Sequence, residues 1–212
     1  MTASLLALAS ATPLYEGNNR VCYLHPRDPS LLVKIIKPSA EPHALRRRTR
    51  KFQRRLLPLR HYDIQDREIR AYRVLLRRVG PEVEAFIPPV HGMAQSDLGP
   101  CLVTDFVRGA DGAPGIALPD LIRQGYDAEA MESVERLRRF VLDKGVAACD
   151  FSPPNVVFAR NAAGMLEAKL VDGFGNTDYI PGWQWSLSIA RRGARRAVRK
   201  FDRKLALLME ER

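Results

Sequence analysis

Two charged residues interrupt apolar patterns that otherwise predict buried elements, and together they restrict the fold more than any other feature. The run Leu31-Leu32-Val33-Lys34-Ile35-Ile36 reads as a buried strand broken once, by Lys34. In the following helical segment, Ile64, Ala71, Leu75 and Val79 define one face, and the position that completes their spacing is Glu68. Singly, each reads as a snorkelling or rim residue. An inward-facing charge without a partner is costly, so a fold that buries both residues is expected to pair them.

The chain around them reads as a meander followed by helices. Leu14 to Glu16, Val21 to His25 and Leu31 to Ile36 are three short strands separated by Gly17-Asn18-Asn19 and Pro26 to Ser30. The basic segment His43 to Leu57 has helix-forming composition up to Pro58, and Tyr62 to Val79 is a second helix closed by Gly80-Pro81. Phe86 to Met93 and Cys101 to Val107 add two strands around a turn at Ser96 to Pro100. Gly109 to Gly115 holds three glycines and a proline and reads as a linker. The expected organisation is an amino-terminal lobe over about 1–108, the linker over 109–115 and a carboxyl-terminal lobe over about 116–212. In the latter, Leu118 to Arg123 and Ala128 to Lys144 are helices, the longer with Met131, Val134, Leu137 and Val141 on one face. Val156 to Arg160 and Leu166 to Val171 form a hairpin around Asn161 to Gly164, and a basic helix runs from about Trp185 to the end.

Candidate chemistry concentrates in Cys149-Asp150-Phe151-Ser152-Pro153-Pro154-Asn155, where two prolines forbid helix between an acid and an amide. Such a loop also reads as an ordinary Asx turn or cap. The hairpin after it returns the chain, so that Asp172-Gly173-Phe174-Gly175 comes back beside Asn155. Asp172 and Asn155 then offer two oxygen donors, and magnesium prefers oxygen ligands and seldom needs an all-protein cage.

The order Lys34 on a third strand, Glu68 on the next helix, Asp150 and Asn155 on a loop, and Asp172-Gly173 after a hairpin resembles the protein-kinase arrangement. That resemblance implies that Lys34 holds the α and β phosphates of ATP, Glu68 orients Lys34, Asp150 accepts the proton of a substrate hydroxyl, and Asn155 and Asp172 bind magnesium. It places Gly17 and Asn18 in the phosphate loop. Leu102 to Val107 resembles the hinge strand, with Thr104, Asp105 and Val107 beside the adenine, and a plain buried strand predicts the same letters. More specifically, the chain is similar to the PhoP regulatory network protein YrbL family. Gly17 to Arg20, Val21-Cys22-Tyr23-Leu24-His25-Pro26, Val33-Lys34-Ile35, Arg67-Glu68-Ile69 with Tyr72, Pro153-Pro154-Asn155 and Asp172 carry that similarity. The family implies a bacterial, cytoplasmic protein in envelope-stress or magnesium-responsive regulation.

The sequence also departs from the kinase pattern. The phosphate loop has the single Gly17, with Asn18 and Asn19 expected to supply left-handed backbone. Ser152 stands where protein kinases carry Lys, no A-P-E follows Gly175, and 37 residues remain after it. A full peptide-docking lobe is therefore not expected.

Charge narrows the partners. Thirty-four Lys and Arg against 24 Asp and Glu give +10, and 16 of these cations lie in Arg46 to Arg60 and Arg191 to Lys204. Such clusters attract nucleic acid, anionic lipid or acidic protein, and they also read as solvated helix faces. Cys22, Cys101 and Cys149 are scattered without C-x-x-C, which suggests neither a disulfide framework nor zinc. Met1 to Pro13 lacks the basic start of a secretory signal, and no apolar run approaches the roughly 20 residues of a membrane span. These readings favour the cytoplasm, with the inner-membrane surface as the peripheral alternative.

The combined expectation is an α+β, two-lobed, protein-kinase-like fold with a small antiparallel-sheet amino lobe and a reduced helical carboxyl lobe. Nucleotide and magnesium are expected near Gly109 to Gly115, with phosphoryl transfer to the hydroxyl of an unidentified acceptor. The rival is a pseudokinase acting through its basic surfaces; a nucleic-acid-binding role rests on the basic runs alone.

Overall fold

The computed structural model describes residues 5–50, 55–125, 128–175 and 182–210. Its contacts divide the chain into two units, one of residues 1–69 and 89–106, the other of 70–88 and 107–212. The first unit therefore ends at Phe106, and residues 70–88 group with the second unit rather than with the amino-terminal sheet. Gly109 to Gly115 lies within the second unit as a hydrogen-bonded excursion, in which the Gly109 N–H donates to Ala113 O at 2.9 Å and the Gly115 N–H to Val107 O at 3.0 Å.

The first unit is built on a five-stranded antiparallel sheet. Strands β1 (Tyr15–Glu16), β2 (Arg20–His25), β3 (Asp28–Ile36), β4 (Val90–Ser96) and β5 (Gly99–Asp105) are ordered β1-β2-β3-β5-β4. β4 begins later than the sequence suggests, because Pro88 and Pro89 cannot donate to a ladder and Pro81–Ala85 forms a 3-10 turn instead. Alternation along β3 divides its residues between the two faces. Val33 and Ile35 join Tyr23, Cys101, Leu6 and Leu8 in a buried apolar cluster on one face. The amino-terminal segment carrying Leu6 and Leu8 lies along β4: the Leu6 N–H donates to Gln95 O, and Asp97 accepts the N–H groups of Leu8 and Ala9.

The opposite face carries Lys34. Register sets Cys22 and Leu102 opposite Lys34, and Leu24 and Thr104 opposite Leu32, so these side chains share a face. Helix α1 (Pro42–Arg48) stops at Thr49, short of the helix expected to reach Leu57; Lys51 and Arg54 lie outside the described residues. Helix α2 (Ile64–Val79) starts after a 3-10 turn at Leu59–His61 and ends at Gly80, whose φ of 80° only glycine adopts readily.

The second unit packs a three-stranded antiparallel sheet, β6 (Ile116–Ala117), β7 (Val156–Arg160) and β8 (Leu166–Leu170), with helices α3 (Leu118–Gly125), α4 (Ala128–Asp143), α5 (Gly182–Trp185) and α6 (Leu187–Glu210). On α4, Val134, Leu137 and Val141 are buried, whereas Met131 is 55% exposed and falls outside the expected face. Phe140 stacks on Phe86, and Phe201 of α6 stacks on Phe151 with ring centroids 4.3 Å apart. That second stack ties the 149–155 loop to the last helix. On α6, Ala190, Ala194, Ala197, Val198 and Phe201 are buried and the cations point outward, the amphipathic pattern of a surface helix.

Candidate functional site

Within the first unit, Lys34 Nζ lies 3.0 Å from Glu68 Oε1, with the lysine side chain 5% exposed and the glutamate 1%. The pair follows from register and helical spacing: the strand turns Lys34 away from the Leu6–Leu8 side, and α2 turns Glu68 inward. Gln65, one turn earlier, donates from its amide to Lys34 O at 3.0 Å and fixes the helix against the strand.

Arg20 is a residue the motif reading left without a role. It is buried, and its guanidinium forms an ion pair with the other oxygen of Glu68. Alternation along β2 puts Arg20 on the face of Cys22 and Leu24, which is the Lys34 face, so hairpin register was the signal that could have revealed it. One carboxylate thus holds two cations from adjacent strands.

The phosphate-loop candidates form a tight hairpin. Gly17 N–H donates to Arg20 O at 2.9 Å, and Lys37 N–H donates to Asn19 O at 2.9 Å. No described residue other than glycine has a left-handed φ, so Asn18 and Asn19 do not adopt the expected left-handed geometry; Gly17 also makes its turn without one. Three residues separate β1 from β2, and the Gly17–Arg20 hydrogen bond closes the hairpin. Of the hinge candidates, Thr104 is buried on the Lys34 face. The Asp105 N–H donates to Pro89 O at 2.9 Å, and its carboxylate meets His91 Nε2 at 2.6 Å. Val107, in the second unit, accepts the Gly115 N–H through its carbonyl.

In the second unit the loop and the post-hairpin segment are joined through backbone. Asp150 N–H donates to Gly173 O at 3.0 Å, and Val171 N–H donates to Asn155 O at 2.9 Å. The Asn155 amide donates to Asp150 O at 2.9 Å and to its carboxylate at 3.2 Å, leaving the amide oxygen as the acceptor end. Asp172 Oδ1 accepts the N–H of Gly173 at 2.6 Å. Gly173 has φ 78°, and a Cβ there would overlap the Asp150 carbonyl oxygen. Among the described residues no group of three or more His, Cys, Asp or Glu side chains is arranged to hold a metal. The Asp172 carboxylate and Asn155 amide oxygen, held in one backbone network, are hard donors of the kind that suits magnesium with phosphate and water completing its shell.

Lys204 of α6 was also missed. Its Nζ lies 3.4 Å from Asp150 Oδ1, both side chains being more than half exposed. Lys204 lies 54 residues beyond Asp150 in the sequence. No local motif encodes that placement.

The PhoP regulatory network protein YrbL family model matches residues 6–206. The chain belongs to this family. The YrbL proteins of Escherichia coli and Shigella flexneri, both described as uncharacterized, are each 24% identical to it over 209 residues, covering 96% of this chain and 89% of theirs. Among solved structures, the Mycobacterium tuberculosis PknI kinase domain is similar with a TM-score of 0.43 and 20% identity, over 82% of this chain. The chain spans 62% of that domain's length. Rad53 1-466 in complex with AMP-PNP gives a TM-score of 0.47 at 14% identity, covering 86% of this chain and 43% of that one. In this YrbL family member the fold is α+β: one unit holds an antiparallel sheet whose third strand pairs its lysine with a helix glutamate, and the other holds helices and a small sheet. Among the described residues no helix is long and apolar enough to cross a membrane.

Proposed function

We propose that this YrbL family protein is an ATP- and magnesium-dependent phosphotransferase acting on a hydroxyl of a small acceptor in a bacterial regulatory or envelope-stress setting. The observation that carries the reading is the buried Lys34–Glu68 pair, because a lysine held this way presents its ammonium in a fixed place. Lys34 would contact the α and β phosphates, with Glu68 and Arg20 as positioning residues behind it. Asn155 and Asp172 would hold magnesium, which supplies charge neutralisation at the β and γ phosphates when bound. Asp150 would take the proton of the acceptor hydroxyl as its oxygen attacks the γ-phosphorus and the bond to ADP breaks. Thr104, Asp105 and Val107 would border the adenine, and Gly17 and Asn18 the phosphates.

A regulatory pseudokinase is favoured by a different observation. The closed Gly17–Arg20 turn leaves a short phosphate loop, and the Asp105 N–H is already engaged by Pro89. In that reading the cations of Arg46 to Arg60 and Arg191 to Lys204 meet an acidic partner, nucleic acid or the anionic inner-membrane surface. Thermal-shift titrations with ATP and magnesium, separately and together, separate the two, since a ligand of the folded state raises Tm with concentration. Asp172→Ala should abolish the magnesium-dependent shift. Asp150→Asn should keep the shift and lower ATP turnover by about a hundredfold or more. A wild type that binds magnesium-ATP, turns nothing over and matches Asp150→Asn refutes the phosphotransferase.

A further inference from the structure

Beside Asp150 the second unit contains an open hollow of about 210 Å³ between the 147–151 loop and α6. Arg196, Lys200 and Lys204 line it. Their four-residue spacing stacks three exposed cations along one stripe of the helix, and Asp150 is the single acid among the lining residues, so the lining carries +3 − 1 = +2. A polar hollow of this charge favours an anion. Its size is below the roughly 300–1,000 Å³ typical of sites for drug-sized ligands, which points to a small molecule or one end of a larger one.

Gly193 provides a separate indication. It sits inside a 24-residue helix, lacks left-handed φ, and a Cβ added to it would meet nothing within 4 Å. Neither packing nor backbone geometry requires glycine there, although glycine weakens a helix interior relative to alanine. What its missing side chain does provide is open volume, since Gly193 lines the hollow.

We infer that this hollow is an acceptor site for a small hydroxyl compound carrying a phosphate, with the phosphate against Arg196 and Lys200 and the hydroxyl toward Asp150 and Lys204. Lys200 and Lys204 are one helical turn apart, about 6 Å along the axis, which matches the separation of phosphate and terminal hydroxyl in a short polyol phosphate. Lys204, already on Asp150, marks the reactive end. The inference names the acceptor class for the proposed phosphotransferase and rests on that reading for the hydroxyl's fate; binding itself needs no nucleotide.

The test titrates the full chain, without nucleotide, with glycerol 3-phosphate, with neutral glycerol and with phosphatidylglycerol vesicles, following tryptophan fluorescence, since Trp183 lines the hollow. Saturable binding of a phosphate-bearing probe and none of glycerol is expected; a vesicle-only response places the phosphate in a lipid headgroup. Gly193→Leu should fill the hollow and weaken binding at least tenfold while leaving Tm unchanged or higher, and Lys200→Gln should weaken it comparably. Binding of neither phosphate probe, or binding undiminished in Gly193→Leu, overturns the site. Magnesium-ATP titrated into the same variants keeps the two readings apart. Glycerol 3-phosphate binding without any nucleotide response sinks the phosphotransferase and leaves the anion site standing, whereas the converse sinks only the site.

Discussion

Glu68 is the residue whose removal the first unit should tolerate least. It is 1% exposed and holds Lys34 and Arg20, each 4% exposed, from two neighbouring strands. Glu68→Ala takes the shared carboxylate from both cations. Breaking a buried pair by deleting one partner costs about 3–5 kcal/mol, and the upper end is expected because two cations are affected. Lys34→Met is different in kind. Glu68 keeps Arg20, one buried charge disappears with its desolvation, and the loss is that of a charge-assisted hydrogen bond, about 1.5–3 kcal/mol before that offset. Arg20→Met should behave like Lys34→Met. The distinctive expectation is the double variant: adding Lys34→Met to Glu68→Ala removes one of the two affected cations, so it should be more stable than Glu68→Ala alone. Urea unfolding followed by circular dichroism measures the series, with calorimetry as a second probe; at about 2–4 °C per kcal/mol for a chain of this size, Glu68→Ala should lower Tm by about 6–20 °C. Equal losses for all three single variants, or additive loss in the double, would show that the carboxylate is not the shared centre of the cluster.

Two further perturbations address local geometry. Gly173→Ala should lose more stability than Gly164→Ala: both glycines have φ 78°, but only at 173 would the new Cβ strike the Asp150 carbonyl, whereas at 164 it meets nothing within 4 Å. The control isolates the backbone penalty of about 1–2 kcal/mol, and equal Tm values for the two variants would mean that the 150–173 contact is not tight. The Leu8 and Ala9 N–H groups hold the Asp97 carboxyl below its usual range, so its stabilising contribution is complete above the unfolded value near pH 4 and disappears as pH falls through the lowered folded value. The protection of the Leu8 and Ala9 amides, measured as the ratio of intrinsic to observed exchange rate at each pH, should therefore fall on the acid side in wild type and be low at every pH in Asp97→Ala; a wild-type protection that does not change with pH contradicts the assignment.

The elements legible in the sequence were those whose signal is local. Lys34 and Glu68 stood out because each violates the period of its own element, and a violation is visible without a partner. Gly80, ending α2, and the Asn161–Gly164 turn were legible because glycine at those positions answers to backbone geometry. Boundaries failed where a competing local rule prevailed, as at Pro88 and Pro89 before β4. Arg20 was hidden for another reason: arginine at the start of a strand violates nothing until the β2–β3 register is known. Lys204 was hidden more deeply still, because among eight cations between residues 191 and 204 nothing in the letters distinguishes the one that meets Asp150.

A solvated face and an anion site have the same composition, and the distinction lies in what opposes the charge. On α6 the apolar residues Ala190, Ala194, Ala197, Val198 and Phe201 fix the helix rotation, and Phe201 stacking on Phe151 fixes its position along the 149–155 loop. Rotation and position together select Arg196, Lys200 and Lys204 to face the hollow and leave cations such as Arg192, Arg195 and Arg199 exposed without lining it. The Phe151–Phe201 stack thus joins helix packing to the loop that carries Asp150. The charge run supplies the cations, and the apolar stripe beneath it determines which of them reach that loop.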